Sequence, residues 1–95
     1  MLFLLEWKFK EDCHEKAINR LINSNNNIEN GKILEKFHSP GSVFGWLVAE
    51  SSEVQNVNNY IKEESEFINW NMTPILKDSD AVIGLSYLFK NSKKN

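Results

Sequence analysis

Residues 32–50 read Lys32-Ile33-Leu34-Glu35-Lys36-Phe37-His38-Ser39-Pro40-Gly41-Ser42-Val43-Phe44-Gly45-Trp46-Leu47-Val48-Ala49-Glu50. The pattern is strand, tight turn, strand. Pro40 fixes its own φ and Gly41 accepts a positive one, which suits the two central positions of a type II turn. Aliphatic, β-branched and aromatic residues flank the turn on both sides, so the stretch is a hairpin. With Ser39–Ser42 as the loop, the expected register sets His38 opposite Val43, Phe37 opposite Phe44, Glu35 opposite Trp46 and Ile33 opposite Val48. One face then carries Leu34, Gly45, Leu47 and Ala49, small or aliphatic and suited to a packed helix. The other carries Ile33, Phe37, Phe44, Trp46 and Val48.

The rest of the chain is patterned to cover this hairpin. Residues 2–9 form a strand in which Leu2, Leu4, Glu6 and Lys8 point one way and Phe3, Leu5, Trp7 and Phe9 the other. Both faces begin apolar, so this strand is expected to be central and covered on both sides. A helix is predicted over 12–23, capped by Asp12 with Glu15 completing a capping box, its apolar stripe made by Cys13, Ala17, Ile18, Leu21 and Ile22. Asn23–Asn27 is a polar, mobile loop.

After the hairpin, Ser52 with Gln55 opens a second helix running to about Glu64, with stripe Val54, Val57, Tyr60 and Ile61. Residues 67–76 make a fourth strand, and Pro74, which lacks an N–H, belongs on an edge or at the strand's end. Asp78 caps a last helix from 79 to about 90, with stripe Val82, Leu85, Leu88 and Phe89. Gly84 costs that helix about 1 kcal/mol relative to alanine. Residues 91–95 form a frayed tail.

The order β-α-β-β-α-β plus a C-terminal helix is the split βαβ, ferredoxin-like pattern, an α+β fold with a four-stranded antiparallel sheet. Right-handed crossovers put both main helices on one face of that sheet. The other face would expose more than the ~400 Å² of contiguous apolar surface usually tolerated. A second copy, sheet against sheet, is expected to cover it and make a dimeric α/β barrel with a cleft at each end. The competing expectation is that the C-terminal helix folds back over that face.

Ninety-five residues make a single domain, 1–95. The net charge of −2 argues against a nucleic-acid or anionic-membrane partner, which wants a basic face. The one cysteine, Cys13, leaves no internal disulfide and no multi-cysteine metal site. A reducing, cytoplasmic setting is the simplest reading. Met1–Leu5 lacks a basic flank and a cleavage site and is interrupted by Glu6, so it does not read as a targeting segment. No stretch approaches the ~18 apolar residues that span a bilayer.

Several pieces together are familiar: Leu5-Glu6-Trp7-Lys8-Phe9, His14 with Ala17-Ile18, the turn His38-Ser39-Pro40-Gly41-Ser42, Gly45-Trp46 leading to Glu50, and Thr73-Pro74-Ile75-Leu76. On these the chain resembles a family of small bacterial proteins, common in cyanobacteria, described as a domain of unknown function of the DUF3303 type. The resemblance covers nearly the whole chain and implies a ferredoxin-like, dimeric α/β-barrel fold, a superfamily that includes small monooxygenases, dehydratases and ligand-sensing domains. It carries over no catalytic residues. Lys10-Glu11-Asp12 departs from the Pro-Gly expected before the family's histidine.

The candidate residues follow from this frame. His38, at the mouth of the hairpin, is either a turn histidine bonding its own loop or a general base or ligand. Glu6 sits in a strand expected to be buried, where a carboxylate is costly unless it is paired or faces a wet cleft. It either approaches Trp46 or Glu35 inside the barrel, or pairs with Lys8 or Lys36 at the rim. Trp7, Trp46 and Trp70 are core or interface anchors, or an aromatic wall for a flat ligand. His14 and Cys13 point about 100° apart on a helix and do not make a metal pair. No phosphate loop, dinucleotide fingerprint, metal-spaced set or triad is present, so no cofactor is expected.

The leading reading is a cytoplasmic homodimer that binds a small, largely apolar ligand, or has an accessory role, with a cleft edged by Glu6, Glu35, His38, Trp46 and Trp70. Its interface would be Phe37, Phe44, Trp46 and Val48. The rival is a cofactor-free monooxygenase- or dehydratase-like enzyme using His38 or Glu6 as acid or base, which requires the two to converge on one volume.

Overall fold

The computed structural model describes residues 1–24 and 26–93, the last three by backbone alone. Asn25 of the polar loop and residues 94–95 of the expected tail lie outside the described residues. The elements are β1 (Leu2–Phe9), α1 (His14–Ile22), β2 (Gly31–His38), β3 (Phe44–Ser51), α2 (Val54–Glu63), β4 (Ile68–Ile75) and α3 (Asp78–Lys93). The strands form one antiparallel sheet in the order β2-β3-β1-β4. The architecture is thus α+β and consistent with a ferredoxin-like βαββαβα arrangement. β1 is central, as its apolar first half predicts, and β4 is an edge, where Pro74 opposite Phe3 costs the sheet no essential donor.

Alternation along β1 decides where the core sits. Phe3, Leu5, Trp7 and Phe9 are all buried beneath the helices. Each helix covers one half of that face. Val57 and Tyr60 of α2 close over Phe3, Leu5, Leu47 and Ala49, with Ile28 plugging the side. Ala17 of α1, helped by Ile18 and Leu21, closes over Trp7, Phe9 and Ile68. Each large side chain removed from water in this way contributes about 1.5–3 kcal/mol. Within the single chain the helices cover this face alone, and Glu6 and Lys8 are exposed on the opposite one.

The turn forms as predicted. Ser42 N–H donates to Ser39 O at 2.8 Å, and Gly41 has φ 85°, the position a type II turn reserves for glycine. The hairpin closes at a different place, however. Ser39 N–H donates to Phe44 O at 2.9 Å, and the Ser39 hydroxyl donates to the same oxygen at 2.7 Å. That moves the register by two, to Phe37 opposite Trp46 and His38 opposite Gly45. A shift of two preserves faces, so Phe37, Phe44, Trp46 and Val48 still share one side. A bulge between Ile33 and Glu35 then shifts the register back by one. Ile33 therefore faces the helices and packs on the core, while Leu34 is exposed, the reverse of the sequence expectation.

Both expected capping boxes are corrected. Asp12 has φ 61° and belongs to the turn before α1, and Cys13 takes the N-cap position without a side-chain bond. At α2 the N-cap is Glu53, and Ser51, not Ser52, organises the entry, its hydroxyl accepting from Glu53 N–H at 3.3 Å.

α3 does not fold back over the sheet. Val82, Ile83, Leu85, Tyr87 and Leu88 are all exposed, and the helix continues through 91–93 where fraying was expected. The molecule measures 57 × 28 × 17 Å. Its radius of gyration is 16.7 Å, against about 12 Å for a compact chain of this length. Its accessible surface is 6841 Å², against about 5,700 Å² for a compact monomer of this mass. Roughly 1,100 Å² of surface is in excess.

Candidate functional site

The open face of the sheet is ordered in rungs that run straight across the strands. One rung is Phe37–Trp46–Glu6–Asn71, taken from β2, β3, β1 and β4 in turn. The next is Phe44–Lys8–Asn69, and on the other side lies Glu35–Val48–Leu4–Thr73. Neighbours in a rung have Cβ atoms about 4.5–5.5 Å apart. Between the first two rungs runs a groove of about 460 Å³, lined by Glu6, Lys8, Phe44, Trp46, Asn69 and Asn71. Phe44 meets the Trp46 ring edge to face at 5.4 Å.

Polarity is graded across this surface. The β2–β3 side is aromatic, with Phe37 52%, Phe44 44% and Trp46 37% exposed. The β4 side is polar, with Asn69, Asn71 and Thr73. Glu6 stands on the boundary, its carboxylate in water with no hydrogen bond among the described residues. An apolar patch with a polar border is the anatomy of a protein–protein contact.

The five residues expected to edge one cleft are divided by the sheet. Glu6, Glu35 and Trp46 share the open face. His38 lies on the helix side, its ring edge-on to Trp7 at 5.1 Å and beside Ile18, Leu21 and Ile22. Trp70 also turns to the helix side, its Nε1–H donating to Glu64 O at 3.0 Å and its ring against Tyr60. Glu6 and His38 therefore do not converge within one chain. Glu6 pairs with neither lysine proposed for it; the ion pair on this face is Lys32 with Glu50 at 4.0 Å. Phe37, Phe44, Trp46 and Val48, the residues expected at an interface, do share the open face. His14 packs edge-on against Phe9, and Cys13 is half-buried. Among the described residues no three His, Cys, Asp or Glu side chains are grouped to hold a metal ion.

The sequence reading names Lys8 only as a partner for Glu6 and does not single out Asn69 and Asn71, although the alternation of Asn69, Asn71 and Thr73 with Ile68, Trp70 and Met72 marks one polar face. A second polar cluster also escaped notice. Arg20, the one arginine, grips buried Glu64 with Nε at 2.9 Å and an NH2 group at 3.0 Å, and also reaches Glu63 O. This ties the ends of α1 and α2 together. Burial, reinforced by the Glu64 charge, pushes the Tyr60 phenol up to about 12. Burial likewise pulls the Lys36 ammonium down, with Glu64 opposing. The cluster is a structural clamp lying beneath the helices, away from the groove.

The sequence profile of the family described as Domain of unknown function (DUF3303) matches residues 1–88. The chain belongs to that family. No curated protein and no solved structure matches it. The match spans all four strands of the DUF3303 chain and runs into α3 as far as Leu88, so the protruding helix lies within the family's extent. No helix among the described residues is long and apolar enough to cross a membrane.

Proposed function

We propose that this DUF3303 chain acts as a homodimer, open face to open face, and that the Phe37–Trp46–Glu6–Asn71 rung becomes the wall of a chamber for a small, largely apolar ligand. The observation that carries the reading is the groove itself: an aromatic floor beside an unpaired carboxylate, on a sheet face that the chain's own helices leave uncovered. A second copy would cover the aromatic side and convert the open groove into an enclosed site, the setting in which a few polar groups orient a ligand. Glu6 asks for a hydrogen-bond donor or a positive charge on an otherwise apolar body. The proteins would then be small cytoplasmic binding or accessory proteins.

An acid–base enzyme built on Glu6 and His38 together is not supported, because the sheet lies between them. RNA binding is not supported either. Lys8 and Lys32 share the open face with Glu6, Glu35 and Glu50, so the acids outnumber the bases.

The test uses the Trp46 and Trp7 indole N–H signals in a ¹H–¹⁵N spectrum with a soluble paramagnetic agent. Pairing predicts that Trp46 is shielded at 100 µM and becomes accessible on dilution, while Trp7 is shielded throughout. A Trp46 signal broadened equally at both concentrations would contradict the reading.

A further inference from the structure

We infer that α3 is an arm that docks on the second copy of this chain, so that its apolar residues are buried between subunits. The inference rests on the pairing proposed above and adds the element that pairing alone leaves unexplained.

The helix is apolar on opposite sides. At about 100° per residue, Val82, Leu85 and Leu88 fall on one side and Ile83 with Tyr87 on the other. A helix packed on its own sheet hides one stripe. A helix apolar on two sides is buried on both. Here both stripes are exposed, with Ile83 at 73% and Leu85 at 63%.

The arm also starts at the right place. Its first turn borders a groove formed with Met1, Leu2, Glu50 and Ile75. Leu2, Glu50 and Ile75 form one rung at the end of the open face. The helix thus leaves from the rim of the surface that the second copy would cover, and its residues continue that surface outward.

The area agrees. Four strands of eight residues make a face of about 19 by 26 Å, a flat footprint of roughly 500 Å². Stable interfaces bury about 800 Å² per partner. One side of a 16-residue helix, about 24 Å long and 10 Å wide, adds roughly 240 Å² and brings the total close to that size. The excess surface of the single chain, roughly 1,100 Å², is enough to supply such an interface. The occupant that brings both a matching face and a matching arm, by two-fold symmetry, is another copy.

The experiment mixes full-length chains, half with ¹³C-labelled leucine methyls and half unlabelled, and records subunit-filtered NOEs beside sedimentation equilibrium. The expected result is cross-peaks from the Leu85 and Leu88 methyls to protons of the other subunit. The double variant Leu85→Asp, Leu88→Asp is expected to raise the dimer dissociation constant roughly tenfold or more. Its helix-side core should stay intact, since α3 adds nothing to it. Leucine contacts confined to one chain, or an unchanged dissociation constant with the wild type dimeric, would overturn the arm and leave the pairing standing. A wild type that stays monomeric at 100 µM would overturn both.

Discussion

The Trp7 indole lies over Gly45, its partner across β1 and β3, and any Cβ at position 45 would run into that ring and into the Phe37 carbonyl oxygen. The missing side chain lets the tryptophan lie flat on the sheet, where α1 closes over it and His38 meets it edge-on. Gly45→Ala should therefore cost about 1–3 kcal/mol, the usual penalty of overpacking a filled core. Gly84 is the contrast. It is helical and meets nothing within 4 Å, so Gly84→Ala should add about 0.5–1 kcal/mol to α3. Urea midpoints for Gly45→Ala and the helicity of Gly84→Ala check the pair; equal effects would refute the account of Trp7.

Arg20 and Glu64 set a second expectation. Glu64 is 3% exposed, and Arg20→Ala leaves its carboxylate buried without its partner. Breaking a buried pair costs about 3–5 kcal/mol. Arg20 is itself 39% exposed, so screening by water lowers the expected loss to about 2–3 kcal/mol. Glu64→Gln should cost less, because it leaves no buried charge without a partner and the remaining Arg20 is 39% exposed and reaches water. Denaturant unfolding of the two variants gives the order directly.

Tyr60 makes stability depend on pH at the alkaline end. Its phenol is raised from 10.0 to about 12 in the fold, first by burial and then by Glu64. Above pH 10 the unfolded chain gives up this proton while the folded chain keeps it, so the unfolded state binds fewer protons and stability falls with rising pH. The contribution is complete below pH 10 and lost by about pH 12. Tyr60→Phe should flatten that decline, as followed by thermal midpoints between pH 9 and 12. A decline of the same steepness in the variant would remove Tyr60 as its cause.

Charge on the aromatic band should separate the subunits. Trp46→Glu puts a second carboxylate beside Glu6 in the same rung, where like charges repel and a contact would bury both. The variant should sediment as a monomer at tens of micromolar, with its helix-side core intact, since Trp46 contributes nothing to it. Lys8→Ala, on the polar side of the groove, should have a much smaller effect.

The parts of this molecule legible in its sequence are those set by short-range rules. Pro40-Gly41 specifies its turn within four residues, and the two-residue period of β1 assigns Phe3, Leu5, Trp7 and Phe9 to one side without help from the rest of the chain. What depends on a third element was not legible. The hairpin register is set by the Ser39 hydroxyl closing on Phe44, and the bulge at Leu34 then exchanges Leu34 with Ile33. Asp12 reads as a cap by composition, yet its backbone adopts a left-handed turn, placing the helix start two residues later. For the site, the face of Glu6 is left open by the sequence and set only by the pairing of β1 with β3 that puts it opposite Trp46; His38 and Trp70 likewise need the pairings of β2 and β4 to show that they turn under the helices.

The central claim is that one copy of this sheet is half of a functional unit. Sedimentation equilibrium of the full chain between 1 and 100 µM tests it most directly. The account predicts a mass rising to twice the 11.1 kDa of the chain across that range. A mass that stays at that of one chain up to 100 µM would contradict it.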